Sequence, residues 1–187
     1  MRLETVLEIV DAFVGSEIPV WIGGGWGIDA LVGMQTREHD DLDIAIRQED
    51  ESGALSLLDE MGFHIVEDQD WRPVRVGLRG AYGEEVDLHP VTFDGTGIGW
   101  QANLGSLPPF RYPPDQLVVG TLGERPVPCI GPQLQLQFHF GYEATEKDRR
   151  DVRMLCERLG IELPRSSRGE QDLHEGAGGD FYGDRAE

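Results

Sequence analysis

The sequence predicts an α+β fold, a short mixed sheet flanked by helices, with a helical unit at the C-terminal end. Three observations predict it. Helix-period segments alternate with short β-rich runs up to Gly62, β-rich runs and turns dominate from Phe63 to Ile130, and Val152, Leu155, Cys156 and Leu159 return to helical spacing.

Leu3, Val6, Leu7, Val10 and Phe13 recur at helical spacing, and Gly15 can end that first helix. "IPVWI" is a short β-rich run, followed by Gly23, Gly24 and Gly25. "WGIDALVG" then reads as a short helix with Trp26, Ile28, Leu31 and Val32 on its apolar side and Gly33 as its stop. In "DLDIAI" the side chains alternate, so Leu42, Ile44 and Ile46 share one face of a strand while Asp41, Asp43 and Ala45 share the other. A helix from Glu49 to Met61, closed by Gly62, returns the chain to "FHIVE". "RPVRVGL" is a further strand, and after the turn "RGAYG" the strand "EEVDLHP" sets Glu85, Asp87 and His89 opposite Val86 and Leu88. Thr92 to Pro114 is rich in Gly, Pro and polar residues, a long loop or hairpin of the sort that lines a site. "QLVVGTL" and "RPVPCI" flank Gly123 as a hairpin, Pro132 opens a helix, and "TEKD" resembles a capping box before the last helix. The expected organisation is one domain over residues 1–164 and an apolar-poor tail over 165–187.

Asp41 and Asp43 point the same way, and Asp87 offers a third carboxylate from a nearby strand; Glu84 and Glu85 lie close, but strand parity favours Asp87. Three such charges within about 5 Å of one another repel by roughly 4 kcal/mol per pair at an effective dielectric near 20. Protonation of one member or a divalent cation relieves that, and hard oxygen ligands of this kind select Mg²⁺ together with substrate phosphates. The glycine turn at Gly24 and Gly25 exposes backbone N–H groups with no side chains in the way of a phosphate. Arg37 is the better phosphate candidate beside it, with His39 either a turn histidine or a second contact. Lys147 and Arg150 share a helical face where they could attract a triphosphate or simply pair with Glu146 or Asp151.

"WIGGGWGIDALVG", then "TREHDDLDIAI", then "VDLHP" resembles the nucleotidyltransferase superfamily, and within it the small antibiotic nucleotidyltransferases of the lincosamide and 2″-aminoglycoside types. The connection between Gly25 and Asp41 has the longer form of this subfamily, and "RPVPCI" and "FHFGYEATEKD" are more similar to the lincosamide branch. The resemblance implies a polymerase-beta-like fold and transfer of AMP from MgATP to a hydroxyl of a small antibiotic, with pyrophosphate released. It implies Asp41, Asp43 and Asp87 as catalytic metal ligands, with Asp87 also placed to take the acceptor proton. It implies Gly24 and Gly25 on the nucleotide, where Arg37, Lys147 and Arg150 are added as candidates by their charge and place, and it favours His89, His139 and Tyr142 near the acceptor. A lincosamide is favoured over an aminoglycoside. A protein-modifying nucleotidyltransferase and a non-catalytic nucleotide-binding module are the alternatives from other classes.

With 16 Lys plus Arg against 35 Asp plus Glu, the formal charge of −19 argues against affinity gained by neutralising nucleic-acid phosphates. No run approaches the roughly 20 apolar residues of a membrane span. The 2 cysteines, Cys129 and Cys156, form no CxxC pair, so a reduced cytoplasmic setting is expected. The expected partners are a nucleoside triphosphate and the antibiotic, and a homodimer is compatible with this reading.

Overall fold

The computed structural model describes residues 1–105, 107–139 and 145–161. Residues 165–187, read as a tail, and Tyr142 lie outside them. The chain forms two compact units, Met1–Gln137 and Phe138–Glu187.

The first unit opens with α1 (Leu3–Gly15), β1 (Val20–Ile22), α2 (Gly24–Val32), β2 (Asp41–Arg47) and α3 (Glu51–Glu60). It continues with β3 (His64–Trp71), β4 (Arg75–Arg79), β5 (Glu85–Phe93), β6 (Gly99–Gln101), β7 (Phe110–Tyr112), β8 (Leu117–Leu122), β9 (Arg125–Ile130) and α4 (Pro132–Phe138). The sheet is mixed, as expected, and longer than the short one anticipated: nine strands among the described residues, with the main path β3-β4-β5-β2-β1-β9-β8 and with β6 and β7 branching from β5. The extra strands come from the segment read as a loop or hairpin. Trp100 pairs with Thr92 and with Arg111, so a Gly- and Pro-rich stretch still forms a ladder where the backbone of β5 offers partners.

β2 sits inside the sheet between antiparallel β1 and parallel β5. Leu42, Ile44 and Ile46 are fully buried with Val86 and Leu88 of β5, and α1 adds Val6, Ile9 and Phe13 while α3 adds Ala54 and Leu58 to the same core. Burying each of the Leu, Ile or Phe side chains contributes about 1.5–3 kcal/mol, which holds β2 in one register. A slip of one residue would carry Asp41 and Asp43 into that core.

α2 starts at Gly24 rather than at Trp26, so two of the three glycines belong to its first turn. α3 begins at Glu51 after a 3₁₀ turn over Gln48–Asp50, where the sequence predicts one continuous helix from Glu49.

The second unit contains α5 (Glu146–Leu159). Its N-terminus carries the expected capping box: the Thr145 hydroxyl accepts from the Asp148 backbone N–H, and the Asp148 carboxylate accepts from the Thr145 N–H at 2.7 Å. Gly160, in the left-handed region at φ 64°, ends the helix.

Candidate active site

The parallel pairing of β2 with β5 sets Asp41 opposite Glu85 and Asp43 opposite Asp87. In-register neighbours on adjacent strands lie about 5 Å apart, so Asp43 and Asp87 stand side by side on one face. Glu85 is engaged elsewhere, accepting from Arg79 Nη2 at 2.8 Å.

The antiparallel pairing of β1 with β2, Ile22 opposite Ile44, delivers the glycine turn to the same place. Gly23 N–H donates to the Asp43 carbonyl at 2.9 Å, and α2 starts there with no side-chain cap. Gly24 has φ 55°, and a Cβ on it would collide with Asp43 Oδ2. At Gly25 the place of a Cβ is taken by the His39 imidazole, with Arg37 Nη2 beside it at 2.9 Å. These glycines are required by what presses on them, a carboxylate at one and a histidine at the next. The open helix N-terminus, Arg37 and Asp43 therefore share one location, an arrangement suited to an anion bridged to a cation.

His39 is buried at 2 % exposure, and its Nε2 lies 2.5 Å from Asp29 Oδ2. Asp29, fully buried on α2, also accepts from Thr36 N–H at 3.1 Å and Thr36 Oγ1 at 2.6 Å. The loop that leads into β2 is thus tied to α2 by one carboxylate. Replacing Asp29 with Ala removes the carboxylate bonded to the buried His39 and the half-buried Thr36 and is expected to destabilise the protein by about 3 kcal/mol, measured by urea unfolding.

Asp87 is 4 % exposed, and its Oδ2 accepts from Arg75 Nη1 at 2.6 Å. Arg75 is stacked over the Trp71 ring at 4.4 Å. Burial, and then the neighbouring Asp43 charge, push the Asp87 carboxyl up from 3.8 to about 6, against the opposing pull of Arg75. That elevation comes first from burial and second from a carboxylate neighbour on the same face, and a hard divalent cation would lower it. Among the described residues no three His, Cys, Asp or Glu groups already converge as a ligand cage. The donor chemistry and the shared face of Asp41, Asp43 and Asp87 fit Mg²⁺ nonetheless, because such sites complete their shell with water and substrate phosphate.

His89 sits two residues beyond Asp87, with Nε2 3.0 Å from Asp43 Oδ1, so the structure places it against an acid of the strand pair. In the second unit, His139 Nε2 lies 3.9 Å from Asp148 Oδ1, and Lys147 and Arg150 occupy the start of α5. Arg75, Asp29, Gln101 and Tyr112 join the site without having been singled out by sequence. Arg75 had one legible signal, a cation in the strand that precedes the turn to "EEVDLHP", on the alternation that faces Asp87.

The chain is similar to known proteins over most of its length. A family model described as aminoglycoside-2″-adenylyltransferase matches residues 5–155. A lincosamide resistance protein from Staphylococcus haemolyticus is 33% identical over 149 residues, which cover 79% of this chain and 89% of that protein. A 2″-aminoglycoside nucleotidyltransferase from Escherichia coli is 29% identical over 170 residues, covering 86% of this chain and 89% of that protein. Among solved structures, the lincomycin-bound lincosamide antibiotic adenylyltransferase LnuA superposes with a TM-score of 0.74 at 31% identity, over 83% of this chain and 96% of that one. ANT(2″)-Ia in complex with adenylyl-2″-tobramycin shares the fold, with a TM-score of 0.68 at 23% identity over 84% of this chain and 89% of that one. The expected nucleotidyltransferase fold is therefore the observed one. With a glycine-started helix set against in-register aspartates, and a family model running from the first helix into the last, the chain belongs to the aminoglycoside-2″-adenylyltransferase family.

Proposed function

We propose that this protein transfers AMP from MgATP to a hydroxyl of a lincosamide antibiotic and releases pyrophosphate. The observation that carries the reading is the in-register pair Asp43–Asp87 beside the glycine-started α2. Asp41 and Asp43, with Asp87, would hold Mg²⁺, which supplies charge neutralisation of the triphosphate and polarisation of the reacting phosphoryl group. Gly24, Gly25 and Arg37 bind and orient the phosphates through backbone N–H groups and a guanidinium fork. Asp87 accepts the acceptor hydroxyl proton, a role suited to a carboxyl raised toward neutrality. Lys147 and Arg150 are proposed on the nucleotide, and His139 and Tyr142 near the acceptor; His89 acts from its place against Asp43.

The lincosamide is favoured by the 33% identity to the Staphylococcus haemolyticus lincosamide resistance protein and by the likeness to lincomycin-bound LnuA. A second reading, an aminoglycoside acceptor, is favoured by the −19 formal charge, since an acidic surface draws in polycations. The test is pyrophosphate release with each nucleoside triphosphate, using lincomycin and a kanamycin-type acceptor at about 0.05 and 0.15 M salt. The expected result is turnover with ATP and lincomycin, with kcat/KM only slightly reduced by salt. Strong turnover of the aminoglycoside alone, falling steeply with salt, would establish the second reading instead.

A further inference from the structure

A hydrogen-bonded chain runs from the carboxylates into the branch of the sheet that the sequence leaves undefined. Tyr112 of β7, 1 % exposed, donates its hydroxyl proton to Gln101 Oε1. Gln101 of β6, 6 % exposed, directs Nε2 to the Val74 carbonyl at 3.2 Å and to His89 Nδ1 at 3.1 Å. A backbone carbonyl only accepts, so the end of the amide facing Val74 is the nitrogen. Both amide protons are then assigned, one to Val74 and one to His89, which makes His89 Nδ1 an acceptor. The ring proton therefore sits on Nε2, 3.0 Å from Asp43 Oδ1. The other oxygen of Asp43 leans over Gly24, at the mouth of α2.

We propose that Gln101 and Tyr112 are positioning residues that hold His89 as an Nε2–H donor to one oxygen of Asp43, a carboxylate whose other oxygen is turned toward the glycine turn, where magnesium-nucleotide would bind. This rests on Asp43 being a metal ligand, as proposed above. The chain performs no proton transfer of its own. It fixes which nitrogen of His89 faces the carboxylate, and a carboxylate held by an oriented donor loses less freedom when it takes up a cation. A network of this kind is specified by all of its members, because removing any one leaves a buried donor or acceptor without its partner. It also accounts for a buried Gln and Tyr within a segment rich in Gly, Pro and polar residues.

The experiment has two independent readouts on the full chain. Long-range proton–nitrogen NMR of the metal-free protein with labelled histidine, assigned through a His89→Asn variant, should show His89 as a single Nε2–H tautomer. Gln101→Met, which keeps the length and removes the amide, should give a mixture of tautomers, and Tyr112→Phe a smaller change in the same direction. Mn²⁺ binding in the presence of a non-hydrolysable ATP analogue, followed by electron paramagnetic resonance, should weaken about 10-fold in Gln101→Met. A wild-type His89 protonated on Nδ1 overturns the proposal, as does a folded Gln101→Met protein that keeps the single tautomer or binds Mn²⁺ as the wild type does. Mn²⁺ binding that is equal in wild type and Asp43→Asn would instead overturn the metal reading itself, and the proposal with it, whatever the tautomer.

Discussion

Asp43→Asn is expected to lower kcat/KM by about 10³-fold or more while leaving the protein folded. The substitution keeps the size of the side chain, and an amide oxygen can still accept from His89 Nε2, now 3.0 Å from Asp43 Oδ1. What it removes is one of two charges that sit side by side on β2 and β5. Repulsion within the folded state falls, so the thermal midpoint should stay level or rise even as activity disappears. Asp41→Asn should act in the same direction, since its side chain shares the strand face of Asp43. Pyrophosphate release at varied Mg²⁺, beside a thermal melt, checks both variants. Near-normal rates in the two of them would remove the strand pair from the chemistry.

Asp87→Asn is expected to cost a similar factor, about 10²–10⁴-fold, by removing a proton acceptor. The wild-type profile should show an acidic limb at or below pH 6, because Asp87 must be ionised to act and its carboxyl is raised to about 6 before any cation arrives. Arg75 opposes that rise, so Arg75→Met should move the limb toward neutral pH. The sign for stability is the reverse of the usual carboxylate. A carboxyl raised from 3.8 to about 6 binds its proton more tightly in the folded chain than in the unfolded one. Its contribution to stability therefore grows as pH falls from about 6 toward 4, and above 6 its ionised form is a burden on the fold. The measurement is kcat/KM against pH for wild type and Arg75→Met, with unfolding free energy followed over the same range. A limb that ignores Arg75 would separate Asp87 from the proton transfer.

How much of this was legible in advance differs by element. The period-2 pattern of "DLDIAI" already divides Asp41 and Asp43 from Leu42, Ile44 and Ile46, and burial in the structure follows that division. The capping box at Thr145 and Asp148 was likewise readable, because its two hydrogen bonds close within one helical turn. β6 and β7 were not. Each is only three residues long, set in a stretch rich in Gly and Pro, too short for a period-2 pattern to show; β6 pairs on β5 and β7 on β6 once the folded chain brings them together.

Legible in the residues alone are the alternation that puts two aspartates on one face of β2, the glycines that open α2, and the succession of helices and strands, β6 and β7 apart, that makes this an α+β chain. All of these rest on interactions between residues a few positions apart. It takes the folded chain to set Asp87 directly opposite Asp43, to bring Arg75 rather than another cation to Asp87, to tie His39 to α2 through Asp29, and to link Tyr112 through Gln101 to His89. Those contacts depend on strand register and on the branching of the sheet at β5. Register is fixed by the sum of buried apolar contacts across several elements, a quantity that no single stretch of sequence contains.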